Sequence, residues 1–203
     1  MKIVVLGNDA SWNELIQTTE NVEWIRANEL NSFYSENSVQ AYFILQDAPN
    51  LLNPLLPGKP VFINSVVNTL NELNVQKNII RINGWTGFLE KELWEVCGIL
   101  NDEAISILHA LGKKYIIVPD APGFITARII AMIINEAYYT TGENVSSENE
   151  IDTAMKLGTN YPFGPFEWAK IIGIKNIYNL LDKLSVSDKR YSIAPALKKI
   201  IHL

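Results

Sequence analysis

The sequence predicts an α/β protein in two parts, a shortened parallel-sheet domain over residues 1–119 and an all-helical domain over residues 120–203. Three observations predict it. Short apolar, β-branched runs alternate with helix-compatible segments in the first part. Four prolines, Pro49, Pro54, Pro57 and Pro60, crowd a stretch where a crossover helix would otherwise stand, so the sheet domain reads as trimmed. After Asp120 the strand-like runs stop, and a long pattern that is apolar on almost every face takes over.

Taken in order, residues 2–6 (KIVVL) form a buried strand stopped by the turn residues Gly7 and Asn8. Residues 11–19 follow as a helix, with Ser11 as cap and Glu14 three residues on as its capping-box partner. Further strands are expected at 22–25, 42–45, 61–63, 79–82 and 115–118. A helix over 101–111 opens on Asn101 and carries Asp102 and Glu103 in its first turn, where carboxylates favour the helix dipole. Residues 125–139 make the long helix. The segment Ser147-Glu-Asn-Glu150 is a capping box for a helix over 151–157, which Gly158 ends. Pro162 and Gly164-Pro165 make a turn, and two more helices follow at 166–172 and 175–184.

Composition excludes several function classes. The chain of 203 residues is 48% hydrophobic and 19% charged, with five Trp, so it holds enough apolar mass for a sizeable core and is not a disordered tail. The net charge is −5, and no Lys/Arg-rich run is present that could neutralise a row of phosphates, so no nucleic-acid partner is expected. A single cysteine, Cys97, excludes an internal disulfide and a Cys-based zinc site and points to a reducing compartment. The start lacks a signal-peptide pattern, and the longest uncharged apolar stretch, 129–134, is far short of the roughly 20 residues of a membrane span. No membrane partner is expected, and a cytoplasmic location is.

A strand, a glycine turn and a helix at the start suggest a nucleotide site, in which N–H groups at the helix N-terminus meet a pyrophosphate. That chemistry needs G-x-G-x-x-G; here the stretch is Gly7-Asn8-Asp9-Ala10-Ser11-Trp12. Only the first glycine is present, Asp9 sets a carboxylate beside the phosphates, and Trp12 sets an indole where close packing is needed. The second strand ends on Arg26-Ala27 rather than on the acid that would hold ribose hydroxyls. Residues 1–58 carry seven carboxylates against Lys2 and Arg26, while the other 145 residues carry 15 acids and 15 bases, so all the net negative charge lies where an anionic dinucleotide would dock. Gly7, Asn8 and Ser65 are the candidate cofactor contacts. Cys97 reads as a small buried hydrophobe, and Glu90, Glu92 and Glu95 as a solvated alternation on a strand or loop. No His/Asp/Glu cluster has metal-ligand spacing.

The second part carries a specific set of motifs. Asp120-Ala-Pro-Gly-Phe-Ile-Thr-Ala-Arg128, Asn135-Glu-Ala137, Ile151-Asp152, Gly158 and Pro162-Phe-Gly-Pro-Phe-Glu167 resemble the C-terminal domain of 3-hydroxyacyl-CoA dehydrogenases, whose run reads D-x-P-G-F-x-x-N-R, N-E-A, I-D and P-x-G-P-F. Residues 81–88 and Leu93-Trp-Glu-Val96 resemble the end of that family's nucleotide-binding domain. The resemblance implies a Rossmann-like domain followed by a helical domain that builds a homodimer, with NAD as cofactor and an acyl-CoA ester as substrate in fatty acid metabolism. It also implies a His base oriented by a Glu, the imidazole suiting proton transfer because its pKa lies near neutrality. At the His position stands Thr86, whose hydroxyl has no proton-accepting state near pH 7, and Glu95 matches the Glu. The family Asn becomes Ala127, and the family serine falls at Val67 or Ser65. His109, on the helix over 101–111, and His202, next to last, stand elsewhere. The expectation is a dehydrogenase-like protein with lost or altered activity. The alternative is a non-catalytic homodimeric module for an acyl-CoA, another metabolite or a protein, and a third option is a new reaction with Tyr138 or Tyr139 as proton donor.

Overall fold

The computed structural model describes residues 1–17, 22–29, 32–33, 38–46 and 58–201. The chain divides into two compact units, Met1–Phe124 and Ile125–Leu203. His202 lies outside the described residues.

The first unit is built on one seven-stranded sheet, and the fold class is the expected one, a parallel-dominated sheet followed by a helical region. The strands are β1 (Lys2–Leu6), β2 (Glu23–Ala27), β3 (Ala41–Ile44), β4 (Val61–Asn64), β5 (Ile79–Ile82), β6 (Leu93–Cys97) and β7 (Lys114–Ile117), in the spatial order β2-β1-β3-β4-β5-β6-β7. All neighbouring pairs are parallel except β5 and β6, which run antiparallel with Arg81 opposite Cys97. The parallel sheet expected from the sequence thus carries one antiparallel pair. Only residues 83–92 join β5 to β6, and a parallel return needs a crossover of about a dozen residues or more. β6 also places the alternating glutamates: Glu95 lies on the strand, whereas Glu90 and Glu92 precede it.

Period-two alternation sorts the strand residues into two cores. On β1, Ile3 and Val5 join a cluster with Phe43, Phe62, Trp94 and Leu108, while Val4 and Leu6 join Phe33, Tyr42 and Ile63 on the other face. Phe43 is the centre of the first cluster, stacked on Phe62 at 4.7 Å and met edge-on by Trp94 at 6.3 Å. Helices α1 (Asp9–Ile16), α2 (Leu70–Leu73) and α3 (Asp102–Ala110) flank the sheet. As expected, Asn101 caps α3 by accepting from the Ala104 N–H. The cap of α1 differs from expectation: Asn8 accepts from the Ser11 N–H at 2.9 Å, so the helix starts two residues earlier and Glu14 is free for another contact.

The first compact unit runs to Phe124. The Arg81 guanidinium, fully buried on β5, donates to Asp120 at 2.5 Å and stacks on the Phe124 ring at 4.8 Å. The Gly123 N–H donates to the Val66 carbonyl at 2.7 Å. Residues 120–124 are thereby held by β5 and by the segment that follows β4.

The second unit contains α4 (Thr126–Gly142), α5 (Glu148–Thr159), α6 (Pro165–Ile172), α7 (Ile174–Ser185), a 3-10 turn (Lys189–Tyr191) and α8 (Pro195–Ile201). The Ser147–Glu150 capping box opens α5. Gly158 does not end α5 as expected; it lies inside the helix, and Asn160, in the left-handed region at φ 57°, terminates it. α8 is a helix that no periodic signal marked in a seven-residue segment. The Pro162–Pro165 turn has a structural reason: the buried Asp152 carboxylate accepts from the Phe166 N–H at 2.8 Å and the Glu167 N–H at 3.2 Å, and so caps α6 from α5. A Cβ on Gly164 would lie 2.2 Å from Asp152 Oδ1, so only glycine fits. Buried Asn135 holds the far end, donating to the Ser192 carbonyl and accepting from the Ala194 N–H, each at 2.9 Å.

Candidate functional site

In an open parallel sheet the ligand crevice lies beyond the carboxyl ends of the strands, where the strand order reverses. Here that point is between β1 and β3, because β2 lies on one side of β1 and every later strand on the other. Gly7 closes β1, and a Cβ there would come within 2.7 Å of Ser11 Oγ and 3.2 Å of Leu45 Cβ. The glycine is required by the close approach of α1 to the strand ends.

The groups around Gly7 satisfy one another. Asn8 takes the Ser11 N–H, and the Ser11 hydroxyl returns a bond to the Asn8 carbonyl at 3.1 Å. Arg26, at the end of β2, donates to Asp9 Oδ1 at 2.5 Å and more loosely to the Gly7 carbonyl, and its guanidinium lies 5.6 Å from the Trp12 ring centroid. The Trp12 indole packs against the Ile3, Val5 and Leu15 cluster, with the cation on its outer side. A pyrophosphate at a helix N-terminus needs free N–H groups and no competing anion. At this terminus the Ser11 N–H is taken and the Asp9 carboxylate stands exposed in the first turn. The residues present do not fit a dinucleotide pyrophosphate held in the manner of the glycine-rich turn.

The strand ends beyond β3 are bridged by a side chain. Asn64 donates to the Leu45 carbonyl at 3.3 Å and accepts from the Gly84 N–H at 3.1 Å, linking the ends of β3 and β5. A Cβ on Gly84 would meet Asn64 Cβ at 2.8 Å. Ser65, the remaining cofactor candidate, is buried and spends its hydroxyl on the Asn68 carbonyl at 2.8 Å, while its own carbonyl accepts from Arg81 Nε.

Thr86 is half-buried in the loop between β5 and β6, and Glu95 is buried on β6, one residue removed from Trp94 and Val96, which face the first core. The loop is held from two sides. Glu14, on α1, accepts from the Gly87 N–H at 2.7 Å, while its second oxygen is buried without a hydrogen-bond partner among the described residues. Burial pushes the Glu14 carboxyl up, helped by Glu90 and opposed by the Gly87 and Leu89 N–H groups and Lys91. From the other side the buried Lys113 ammonium donates to the Leu89 and Lys91 carbonyls at 2.8 and 3.0 Å and lies 5.0 Å from the Trp94 ring centroid. Burial pushes the Lys113 amine down. The roles of Glu14, Asn64 and Lys113 are not legible in the sequence because their partners are distant in the chain.

The other reactive groups are accounted for. His109 is exposed on α3 beside Tyr115. Cys97 is buried, and burial, with Asp120 beside it, pushes its thiol up to about 11, so it is a neutral thiol at pH 7. Ala127 is fully buried on α4. Among the described residues there is no group of His, Cys, Asp and Glu that could hold a metal, and no helix long and apolar enough to cross a membrane.

Comparison with known proteins agrees with this architecture. Residues 123–203 match the family described as 3-hydroxyacyl-CoA dehydrogenase, C-terminal domain. The chain is 40% identical over 99 residues to a 3-hydroxyadipyl-CoA dehydrogenase of Escherichia coli K12, a match covering 48% of this chain and 21% of that protein. It is 37% identical over 111 residues to a 3-hydroxybutyryl-CoA dehydrogenase of Bradyrhizobium diazoefficiens, covering 51% and 38%. The matches thus span about a fifth to two fifths of these relatives. The fold is similar to the crystal structure of an (S)-3-hydroxybutyryl-CoA dehydrogenase from Ralstonia eutropha, with a TM-score of 0.72 at 17% identity over 99% of this chain and 93% of that one. Residues 123–203, which hold most of the Asp120–Glu167 motifs, are thus a domain of the type described as 3-hydroxyacyl-CoA dehydrogenase, C-terminal domain.

Proposed function

We propose that this protein is a 3-hydroxyacyl-CoA dehydrogenase homologue that does not carry out the family's NAD-dependent oxidation. The observation that carries the reading is the loop between β5 and β6: Thr86 stands where the family resemblance puts the catalytic His, beside a Glu14 carboxyl already committed to the Gly87 N–H. A hydroxyl cannot take the proton of a 3-hydroxyl group near pH 7. The self-satisfied lip at Gly7, Asn8 and Asp9 supports the same reading, since it offers no anion cradle to NAD. The test is oxidation of NADH by the purified chain in the presence of acetoacetyl-CoA, followed by absorbance. No turnover above a protein-free control is expected, and turnover that disappears in Glu95→Gln overturns the proposal.

A second reading is favoured by the helical unit, whose Asp152 cap, Gly164 contact and Asn135 clamp are all in place. On that reading the chain is a cytoplasmic homodimer that retains a ligand role, with an acyl-CoA ester as the ligand class because the relatives it resembles are named for acyl-CoA substrates. Calorimetry with acetyl-CoA and with NADH separates the two. Binding of acyl-CoA without NADH supports this reading, and absence of both removes it.

A further inference from the structure

The helical unit contains a cleft of about 330 Å³, to which the motif residue Phe166 contributes its ring. Phe166, Ile174 and the exposed Ile200 give it an apolar lining, and it lies within the size range of small-molecule sites, roughly 300–1,000 Å³. Tyr138 lines it from α4. That residue is only 7% exposed, its ring meets Phe166 edge-on at 4.9 Å, and its hydroxyl has no hydrogen-bond partner among the described residues. The hydroxyl oxygen is not sealed from solvent, so a ligand in the cleft can reach it. Two charged groups complete the lining, the exposed carboxylate of Glu148 in the first turn of α5 and the exposed ammonium of Lys170 on α6, and neither is in an ion pair among the described residues.

We infer that this cleft binds a small apolar zwitterion, an α-amino acid with an aliphatic or aromatic side chain. Its ammonium group donates to the Tyr138 hydroxyl oxygen and to Glu148, its carboxylate accepts from Lys170, and its side chain lies on Phe166, Ile174 and Ile200. The surroundings of Tyr138 decide against a simple fatty acid. Burial, then Glu148 and Asp152, push the phenol up, so the field at the hydroxyl is negative and favours a cationic donor over a carboxylate. Lys170 on the rim decides against a simple amine, which would leave that cation unmatched. Asp152 itself is engaged by the Phe166 and Glu167 N–H groups and stays outside the ligand contacts.

The experiment is calorimetric titration of the full chain with L-leucine, N-acetyl-L-leucine, in which the ammonium is blocked, and L-leucinamide, in which the carboxylate is blocked. Leucine is expected to bind, with each blocked form weaker by about tenfold or more, the worth of one charged hydrogen bond. Tyr138→Phe, which keeps the ring, is expected to weaken leucine binding about tenfold. Lys170→Gln, on the surface, is expected to weaken leucine and leave leucinamide unchanged. Melting temperatures of both variants verify that the fold is retained. Absence of binding by leucine and by L-phenylalanine up to about 10 mM, equal affinity for the three leucine forms, or unchanged affinity in Tyr138→Phe overturns the inference. Because the cleft lies wholly within the helical unit, the outcome is separate from that of the NADH assay.

Discussion

The guanidinium of Arg81, fully buried on β5, donates to the carboxylate of Asp120 at 2.5 Å, and Asp120 also accepts from the Leu70 and Asn71 N–H groups at 2.9 and 3.0 Å. One carboxylate therefore caps α2 and neutralises the one fully buried arginine of the first unit. Removing it leaves that charge without its partner. Asp120→Ala is expected to destabilise the chain by about 3 kcal/mol, the low end for a broken buried pair because Asp120 itself is partly exposed. Urea unfolding measures this. The double variant Arg81→Met with Asp120→Ala should be more stable than Asp120→Ala alone, since no unpaired charge remains.

The same pair sets an acid dependence. Burial raises the Asp120 carboxyl, and the two N–H groups with Arg81 outweigh that and hold it below the usual carboxylate range. Its stabilising contribution is then fully present above the unfolded value near 3.8 and is lost as pH falls through the lower folded value. Urea midpoints of the native chain and Asp120→Ala should converge as pH drops below about 4. Curves that stay parallel down to pH 2 would exclude an ionised Asp120 as the source.

Glu14 has the opposite sign. Its folded pKa is raised, chiefly by burial, so the native state holds the proton more tightly than the unfolded chain. That favourable contribution is fully present below the unfolded value of 4.5 and is lost as pH rises through the folded value. Glu14→Gln keeps an acceptor for the Gly87 N–H and removes the titration. Relative to the native chain, the variant should gain stability as pH is raised from about 4 to 7. A constant difference across that range counts against the buried carboxyl.

How much of this could be read in advance depends on distance along the chain. Residues 2–6 became β1, and Asn101 capped α3, because alternation and capping are written within one element. The helical part was legible for the same reason, apart from α8, whose seven residues give too short a window for a period. Arg81 and Asp120 are 39 residues apart and Glu14 and Gly87 are 73 apart, and no local pattern pairs such groups. The reversal at β6 belonged to a connection length rather than to the residues of the strand. Thr86 and Glu95 were found by resemblance, while Glu14 and Lys113, which hold the loop around Thr86, were visible only in three dimensions.

Gly164→Ala tests the helix cap. The added methyl would lie 2.2 Å from Asp152 Oδ1, so either the cap or the packing of α5 on α6 must give. A loss of about 2 kcal/mol or more is expected, the scale of a broken cap with overpacking added. Intrinsic fluorescence of Trp168, buried two residues into α6 beyond Phe166, reports the transition. In the Asp152→Gly background the same substitution should cost clearly less, because Oδ1, Cγ and Cβ, which the added methyl would meet at 2.2, 2.3 and 2.4 Å, are all gone; full additivity would show that the strain lies elsewhere.

Thr86→His asks whether the missing base alone separates this chain from hydride transfer. The position is half-buried in a loop held by Glu14 and Lys113, so an imidazole can be placed there without breaking either contact. Glu95 is retained on β6. The lip around Gly7 is unchanged, with the Ser11 N–H taken by Asn8 and the Asp9 carboxylate in the first turn. Since proton transfer is of no use without a bound hydride carrier, the variant is expected to show no oxidation of NADH with acetoacetyl-CoA and no NADH binding by calorimetry. NADH binding by Thr86→His, with turnover on top of it, would show that the lip accepts the dinucleotide after all and that Thr86 alone holds the activity back.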